Sequence, residues 1–313
     1  MDGANGSSLQ LDFLYQVTQV QSGIETLMEA TVLLSVSISF IYLNSIMFLA
    51  LRSRSSFSEM SRYILFSQML INDSILLMIT SLLYSLALVN LTLTKAVCSL
   101  FVMVSAVSFN VSPLNLAVMS LERYVAICFP LHHPSIATPG RTKIVIVVIW
   151  FLSSMNFLIE IFFSAVSDPY FLTGHVYCTR EQLFVAKWQY DMCQGFNSFF
   201  FVTVGITIIY TYGGIMVAAR SIKAQKASRT VLLHLIQLGL CLTSFLYGTI
   251  ERALAVFSSS LFINLRYLNF LFILLLPRCL SPLIYGLRDE SVRSVFFCYL
   301  RCSARRTKPI TIH

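Results

Sequence analysis

The sequence is short of charge. Asp, Glu, Lys and Arg make up 12% of its 313 residues, while apolar residues reach 57%. A soluble domain normally carries roughly 25% charged residues. A soluble fold of this length would therefore lack a charged surface, so most of the surface must face lipid. Other absences narrow the chemistry. The eight cysteines show no metal-ligand spacing. Cys298 and Cys302 lie in a basic tail with no histidine nearby, which argues against zinc. No HExxH motif occurs, and His132 and His133 fall in a loop, so neither catalysis nor a metal or cofactor is expected. No repeat with a period of roughly 20 to 50 residues and no low-complexity block is present. Residues 1–26 contain Asp2, Asp12 and Glu25 but no Lys or Arg. Without a basic start and an early apolar core there is no cleavable signal, and the first apolar segment serves as its own insertion signal.

Long apolar runs dominate the rest. Crossing about 30 Å of hydrocarbon takes about 20 mainly apolar residues, and seven segments qualify: 27–51, 63–89, 96–127, 143–165, 193–219, 230–257 and 264–287. Ser105, Ser108, Asn110, Ser112 and Asn115 dilute the third. Hydrocarbon offers these groups no partner, so that helix is expected to be enclosed by others; a long soluble amphipathic helix is the competing reading. The lysines and arginines fix an orientation. Fifteen, from Arg52 to Lys308, gather on one side, against only Lys95, Arg180, Lys187 and Arg266 on the other. This predicts a plasma-membrane protein whose residues 1–26 are extracellular and whose residues 288–313 form a cytoplasmic tail. The fold class expected is an all-α membrane protein, a single seven-helix bundle (1–313) with a short amphipathic helix after span seven. The net charge of +8 then suits anionic lipid or an acidic protein partner, and it is no evidence for nucleic-acid binding. Asn5-Gly6-Ser7 is a glycosylation acceptor on the outer side. Asn90-Leu91-Thr92 lies too close to the membrane, and Asn110-Val111-Ser112 lies inside a span.

Seven spans alone still admit transporters. Local motifs discriminate. Residues 119–131 read MSLERYVAICFPL, similar to the MAxxRYVAICxPL signature of odorant receptors within the rhodopsin-like family. Residues 281–289, SPLIYGLRD, resemble NPxIYxLR, and residues 226–235, KASRTVLLHL, resemble KAxSTCxxHL. Thr211-Tyr212 matches the SY pair of span five and Leu246-Tyr247-Gly248 the FYG of span six, while Asn44, Asn72-Asp73 and Trp150 occupy the expected places in spans one, two and four. The resemblance covers residues 40–300. Asn72-Asp73, Glu122 in place of aspartate, and Pro277-Arg278-Cys279-Leu280 point to the fish and amphibian branches.

The resemblance implies an odorant receptor that takes a small molecule within the bundle and activates a heterotrimeric G protein, by the family's habit a stimulatory one that raises cyclic AMP. Glu122, Arg123, Tyr124, Tyr212, Pro282 and Tyr285 are then the coupling residues. Arg123 pairs with Glu122 at rest and on activation is released towards Tyr212, Tyr285 and the G protein; the alternative is an arginine snorkelling to the interface. Charge inside a span needs a partner. Similar receptors hold sodium at the span-two aspartate, but here Ser281 replaces the usual asparagine and Arg278 supplies a built-in cation. Asp73 and Arg278 are expected to pair, unless Arg278 contacts backbone carbonyls. Pro113 is expected to kink span three. Cys98 and Cys178 are expected to form the disulfide found throughout the resembled receptors, with an oxidising exterior favouring it. Cys193 falls inside span five. Cys298 and Cys302 are acylation candidates or buried thiols.

A pocket between spans three, five, six and seven is expected to be lined by Ser105, Phe109, Asn197, Phe200, Tyr247, Glu251, Arg252, Tyr267 and Leu271, with Ser112 one turn below. Ser105 stands where amine receptors carry an aspartate, which argues against a monoamine. Glu251 and Arg252 either bind charged groups or serve each other, and Glu160 in span four shows no visible partner. The rival readings are a rhodopsin-like receptor for another ligand, such as a peptide, and a transporter. A transporter would show inverted repeats and paired broken helices, and neither is visible.

Overall fold

The computed structural model describes residues 23–221, 239, 265, 267–268, 270–276, 279–280 and 290–303. Within these, five helices are long and apolar enough to cross a membrane: span one (Gly23–Arg52), span two (Ser61–Leu88), span three (Lys95–Cys128), span four (Pro139–Ser167) and span five (Lys187–Ser221). Segment 230–257 lies almost wholly outside the described residues. Of segment 264–287, the described part is helical and includes a π-helical turn at Phe270–Leu275.

Each helix ends where its sequence stops supporting it. Span two runs into Asn90, whose φ of 54° is a left-handed conformation that asparagine adopts more readily than most side chains. Spans three and four stop before Pro130 and Pro169, which disfavour helical backbone in the preceding residue. Phe129 (ψ 57°) and Asp168 (ψ 107°) are accordingly non-helical. Span four starts on Pro139, with the Thr138 side chain accepting from the Arg141 amide; proline at the first helical position costs no hydrogen bond.

The faces follow from the solvent. On span four Ile144, Val147, Phe151, Phe162 and Val166 are exposed, an apolar stripe that water would penalise and lipid does not. Span three is the most enclosed: half of its apolar window is buried, against 28% for spans one, four and five. It packs on spans two, four and five. Its polar residues Ser108, Asn110, Ser112 and Asn115 are buried, as their chemistry requires. The main core joins Met47 and Leu51 of span one, Tyr63, Phe66 and Leu70 of span two, Leu116 and Met119 of span three, and Val204 and Ile208 of span five. A final amphipathic helix, Glu290–Ser303, buries Val292, Val295 and Phe296 in the same core and packs on span one, leaving Cys298 exposed.

Candidate functional site

At the end of the bundle that carries Arg123, three elements meet. Arg123 Nε lies 3.5 Å from Glu122 Oε2, and His133 Nε2, on the short helix His133–Ile136, lies 3.0 Å from Glu122 Oε1. Glu122 is therefore shared between a neighbour in the helix and a loop histidine. The Tyr124 ring packs against Phe129 and Tyr210, 5.8 and 5.7 Å between centroids. It also occupies the space that a side chain at Gly214 would need. Cys128 Sγ approaches the Gly214 carbonyl at 3.7 Å, and one turn further in Thr211 Oγ1 donates to Ser120 Oγ at 3.3 Å. Spans three and five are thus closest where glycine permits it. Tyr212 is half-buried beside this crossing.

Halfway along the bundle lies a buried polar chain. Asn72 Nδ2 donates to the Ser108 carbonyl (2.9 Å) and to Ser112 Oγ (2.7 Å), and Ser112 Oγ donates to Asp73 Oδ1 (2.8 Å). Asn44 Nδ2 reaches Ser74 Oγ at 3.2 Å, and Asn115 Nδ2 reaches the Leu65 carbonyl at 3.0 Å. The Asn72 bond to Ser108 sits next to the carbonyl of Phe109 that Pro113 leaves without its helical donor. Ser112 was expected just below a ligand pocket; its hydroxyl instead ties span two to span three. The cause is spacing: Asp73 and Asn72 present acceptor and donor together, and a buried hydroxyl can serve both.

The opposite end is closed by loops. Cys98 and Cys178 form the disulfide, with Cα atoms 5.3 Å apart. Strands β1 (Thr92–Thr94) and β2 (His175–Tyr177) pair antiparallel, Thr92 opposite Tyr177. Lys95 Nζ contacts Asp168 Oδ2 at 2.5 Å. That hydrogen bond, helped by the Tyr170 amide, holds the Asp168 carboxyl below the usual carboxylate range. Glu160 is not without a partner: Arg180 Nη2 lies 3.0 and 3.1 Å from its two oxygens, and Asn156 donates at 2.6 Å. This corrects the expectation. The partner comes from a loop that the disulfide fixes two residues earlier. Gln189 is fully buried, accepts from the Val185 and Ala186 amides, and donates to Ser164 Oγ, so it stitches the start of span five to span four.

Ser105 and Phe109 are half-buried on span three; Asn197 is half-buried beside Cys193, and Phe200 is buried against Phe196 and Phe199. The Tyr267 hydroxyl donates to the Glu29 carbonyl at 3.4 Å, and Leu271 packs on the Leu33–Leu77 cluster, so both stand on the side of spans one and two. Asn5, Tyr247, Glu251, Arg252, Arg278, Pro282 and Tyr285 lie outside the described residues, as does the side chain of Cys302. Cys193 is buried and outside any disulfide, inside span five as expected. The roles of His133, Lys95 and Arg180 had no signal in local spacing.

Comparison with known proteins locates this arrangement. Residues 24–285 match the family described as 7 transmembrane receptor (rhodopsin family). The chain is 34% identical over 289 residues to the zebrafish (Danio rerio) protein named Odorant receptor 131-2, covering 89% of this chain and 88% of that one. It is 27% identical over 205 residues to human Olfactory receptor 11H7, covering 61% and 63%. A stretch of 56 residues, 18% of this chain and 15% of the relative, is 46% identical to rabbit (Oryctolagus cuniculus) growth hormone secretagogue receptor type 1.

Proposed function

The chain belongs to the rhodopsin family of seven-transmembrane receptors, and from that premise we propose that it is an odorant receptor: a small molecule binds within the bundle and the receptor activates a heterotrimeric G protein. The observation that carries this is the likeness to a zebrafish odorant receptor over nearly the whole of both chains. The likeness to the growth hormone secretagogue receptor spans only 18% of this chain and belongs to what the family has in common.

The activation step rests on the Arg123 end. Arg123 Nε meets Glu122 Oε2 at 3.5 Å, at the long end for an ion pair. His133 keeps a partner on Glu122 when Arg123 leaves, so the carboxylate is not stranded at the membrane edge. Arg123 is then free to meet the G protein, which is of the stimulatory type and raises cyclic AMP. The excess of lysine and arginine on this side supports a cytoplasmic location for it and an extracellular amino terminus, with Asn5 available for glycosylation. Cys298 is exposed on the final helix, which supports its acylation.

Deeper in, Arg278 pairs with Asp73 and couples spans two and seven. The buried position of Asp73, 1% exposed, supports a permanent cationic partner over an exchangeable one. Swapping the two charges in a double variant restores signalling that each single reversal loses; no recovery would remove this part of the proposal. The main test is a cyclic-AMP assay over a broad odorant panel. At least one odorant raises cyclic AMP through the wild type, and Arg123→Ala at equal surface expression gives none. Signalling by Arg123→Ala at wild-type strength would overturn the assignment.

A further inference from the structure

The turn that follows span four has no part in the receptor machinery, and its surface is of the wrong kind for water. Residues 169–179 contain no Asp, Glu, Lys or Arg. Pro169 stops the helix, yet the apolar run continues through Tyr170, Phe171 and Leu172. Tyr170 is 68% exposed and Leu172 74%, with Phe171 half-buried between them. A lone exposed apolar side chain is ordinary, whereas a cluster without charge calls for a cover. Phe162 and Val166, each 72% exposed, stand one helical turn apart on span four and lead its lipid-facing stripe up to this turn. We propose that the turn Pro169–Gly174 is a foot resting in the membrane interface, with Tyr170 and Leu172 set among the glycerol and upper acyl groups of the lipid leaflet on the disulfide side.

The depth of the turn follows from its neighbours. Phe171 lines the same small cleft as Ser99 of span three and Ser164 of span four, so the chain has doubled back beside the helices rather than rising above them. Ser164 Oγ accepts from Gln189 in the first turn of span five at 3.2 Å. Next to it, the Phe163 ring meets Trp188 edge-on at 4.8 Å. Trp188 is 41% exposed, and a tryptophan at the end of a span marks the level where membrane meets water. Tyr170 and Leu172 flank Phe171 and stand near that level, where a ring with a phenol tip suits both phases. The turn is also held in place. The Gly174 amide donates to the Tyr170 carbonyl at 2.6 Å, and a Cβ at Gly174 would meet that oxygen at 2.8 Å, so the closed turn requires glycine. The Lys95 and Ala96 amides of span three donate to the Gly174 and Phe171 carbonyls at 2.9 and 3.1 Å. Lys95 Nζ also pairs with Asp168 just before the turn. That pair is neutral as a unit, so the foot does not select between neutral and anionic headgroups.

Tryptophan fluorescence with quenchers placed at known depths tests the foot without ligand or G protein, so the outcome is independent of the signalling assignment. Tyr170→Trp and Leu172→Trp are each made in the full-length receptor, held singly in phosphatidylcholine nanodiscs. The emission followed is that added over wild type, which itself contains Trp150 and Trp188. It lies at shorter wavelength than that of indole in water. Lipid brominated close to the glycerol quenches it more than lipid brominated near the middle of the acyl chain, and aqueous iodide quenches it little. Phe151→Trp, exposed to lipid near the middle of span four, shows the reverse order between the two lipids and fixes the scale. Replacing part of the phosphatidylcholine by phosphatidylglycerol leaves the quenching of both foot variants unchanged. Quenching by iodide and by neither lipid would place the turn in water. Indifference to all three quenchers would show that another part of the receptor covers it, and dependence on phosphatidylglycerol would make the contact electrostatic. Each of these results would overturn the proposal.

Discussion

Glu160 and Arg180 provide a double-mutant cycle whose outcome is set by burial. The Glu160 side chain is 11% exposed and that of Arg180 is 22% exposed. Removing one member of a buried pair typically costs about 3–5 kcal/mol, because the other charge stays desolvated. In Arg180→Met the carboxylate keeps only Asn156 and has no route to water along its short side chain. Its loss is close to the lower end of that range, about 3 kcal/mol. In Glu160→Leu the guanidinium keeps its contact with Phe157 and can turn outward on its long stem, so the loss is about 1–2 kcal/mol. Replacing both removes both desolvation terms and leaves an apolar pair of similar volume, which is often neutral within roughly 1 kcal/mol. The coupling between the sites is therefore about 4 kcal/mol, beyond the usual range of roughly 0.5–3 kcal/mol for directly contacting residues. Thermal unfolding of the purified receptor, followed with a thiol-reactive dye that reaches the buried Cys193 and Cys279 only on unfolding, ranks the variants. Arg180→Met melts lowest, Glu160→Leu next, and the double variant lies close to wild type. A double variant destabilised by the sum of the two singles would show that the carboxylate and the guanidinium do not act as a pair.

Three further outcomes follow from the same contacts. Ser112→Ala removes the hydroxyl that serves Asn72 and Asp73; leaving buried polar groups short of a partner costs about 1–3 kcal/mol, read as a lower melting temperature with unchanged membrane insertion. Gly214→Val forces the Tyr124 ring away from span five, costs about 1–3 kcal/mol as an overpacked contact, and raises odorant-independent cyclic AMP because span five no longer holds the Arg123 end closed. The Lys95–Asp168 tie has a definite pH sign. The Asp168 carboxyl is held below its usual range by Lys95, so the stability it adds is fully present above the unfolded value of about 3.9 and is lost as the pH falls through the lower folded value. Melting temperature is flat in this respect from neutrality down to about pH 4 and falls below it, and Lys95→Met removes that acid-side component.

The helices were legible because each is specified locally. An apolar run of sufficient length is both necessary and nearly sufficient for a span, and the first five segments lie where the sequence puts them. The ends differ in an instructive way. Span four begins at Pro139 and span five at Lys187, four and six residues before the apolar runs at 143 and 193. Hydropathy marks where lipid begins, whereas a helix begins where nearby amides find partners: the Thr138 hydroxyl caps one, and in the other the Gln189 side chain of the first turn reaches back to the Val185 and Ala186 amides just before it. Span three hardly moved, since Pro130 fixes its end regardless of polarity.

The site was legible only where function is written into consecutive residues of one helix. Glu122, Arg123 and Tyr124 are such a run; the chain from Asn72 through Ser112 to Asp73 is not, because it joins two helices across 40 positions of sequence. Glu160 looked solitary because its partner stands 20 residues on, in a loop without periodicity, at a place set by a disulfide to a different helix. His133 escaped for the same reason: nothing in the spacing of a loop histidine says that Glu122 is within 3.0 Å. Both missed partners are basic side chains from connecting segments meeting a helix carboxylate, and both helix carboxylates were conspicuous in the sequence as charges that lipid would not tolerate alone. The productive rule for a chain of this kind is therefore to treat each acidic residue inside an apolar run as a demand for a cation, and to search the adjoining loops for it. Applied to Glu29, which already accepts from the Tyr84 hydroxyl at 3.0 Å, the rule points to the start of segment 264–287, where Arg266 precedes Tyr267 in sequence. Charge reversal of Glu29 and Arg266 together should then preserve surface expression that either reversal alone reduces, and equal loss in the double variant would confine the rule to the two loops in which it arose.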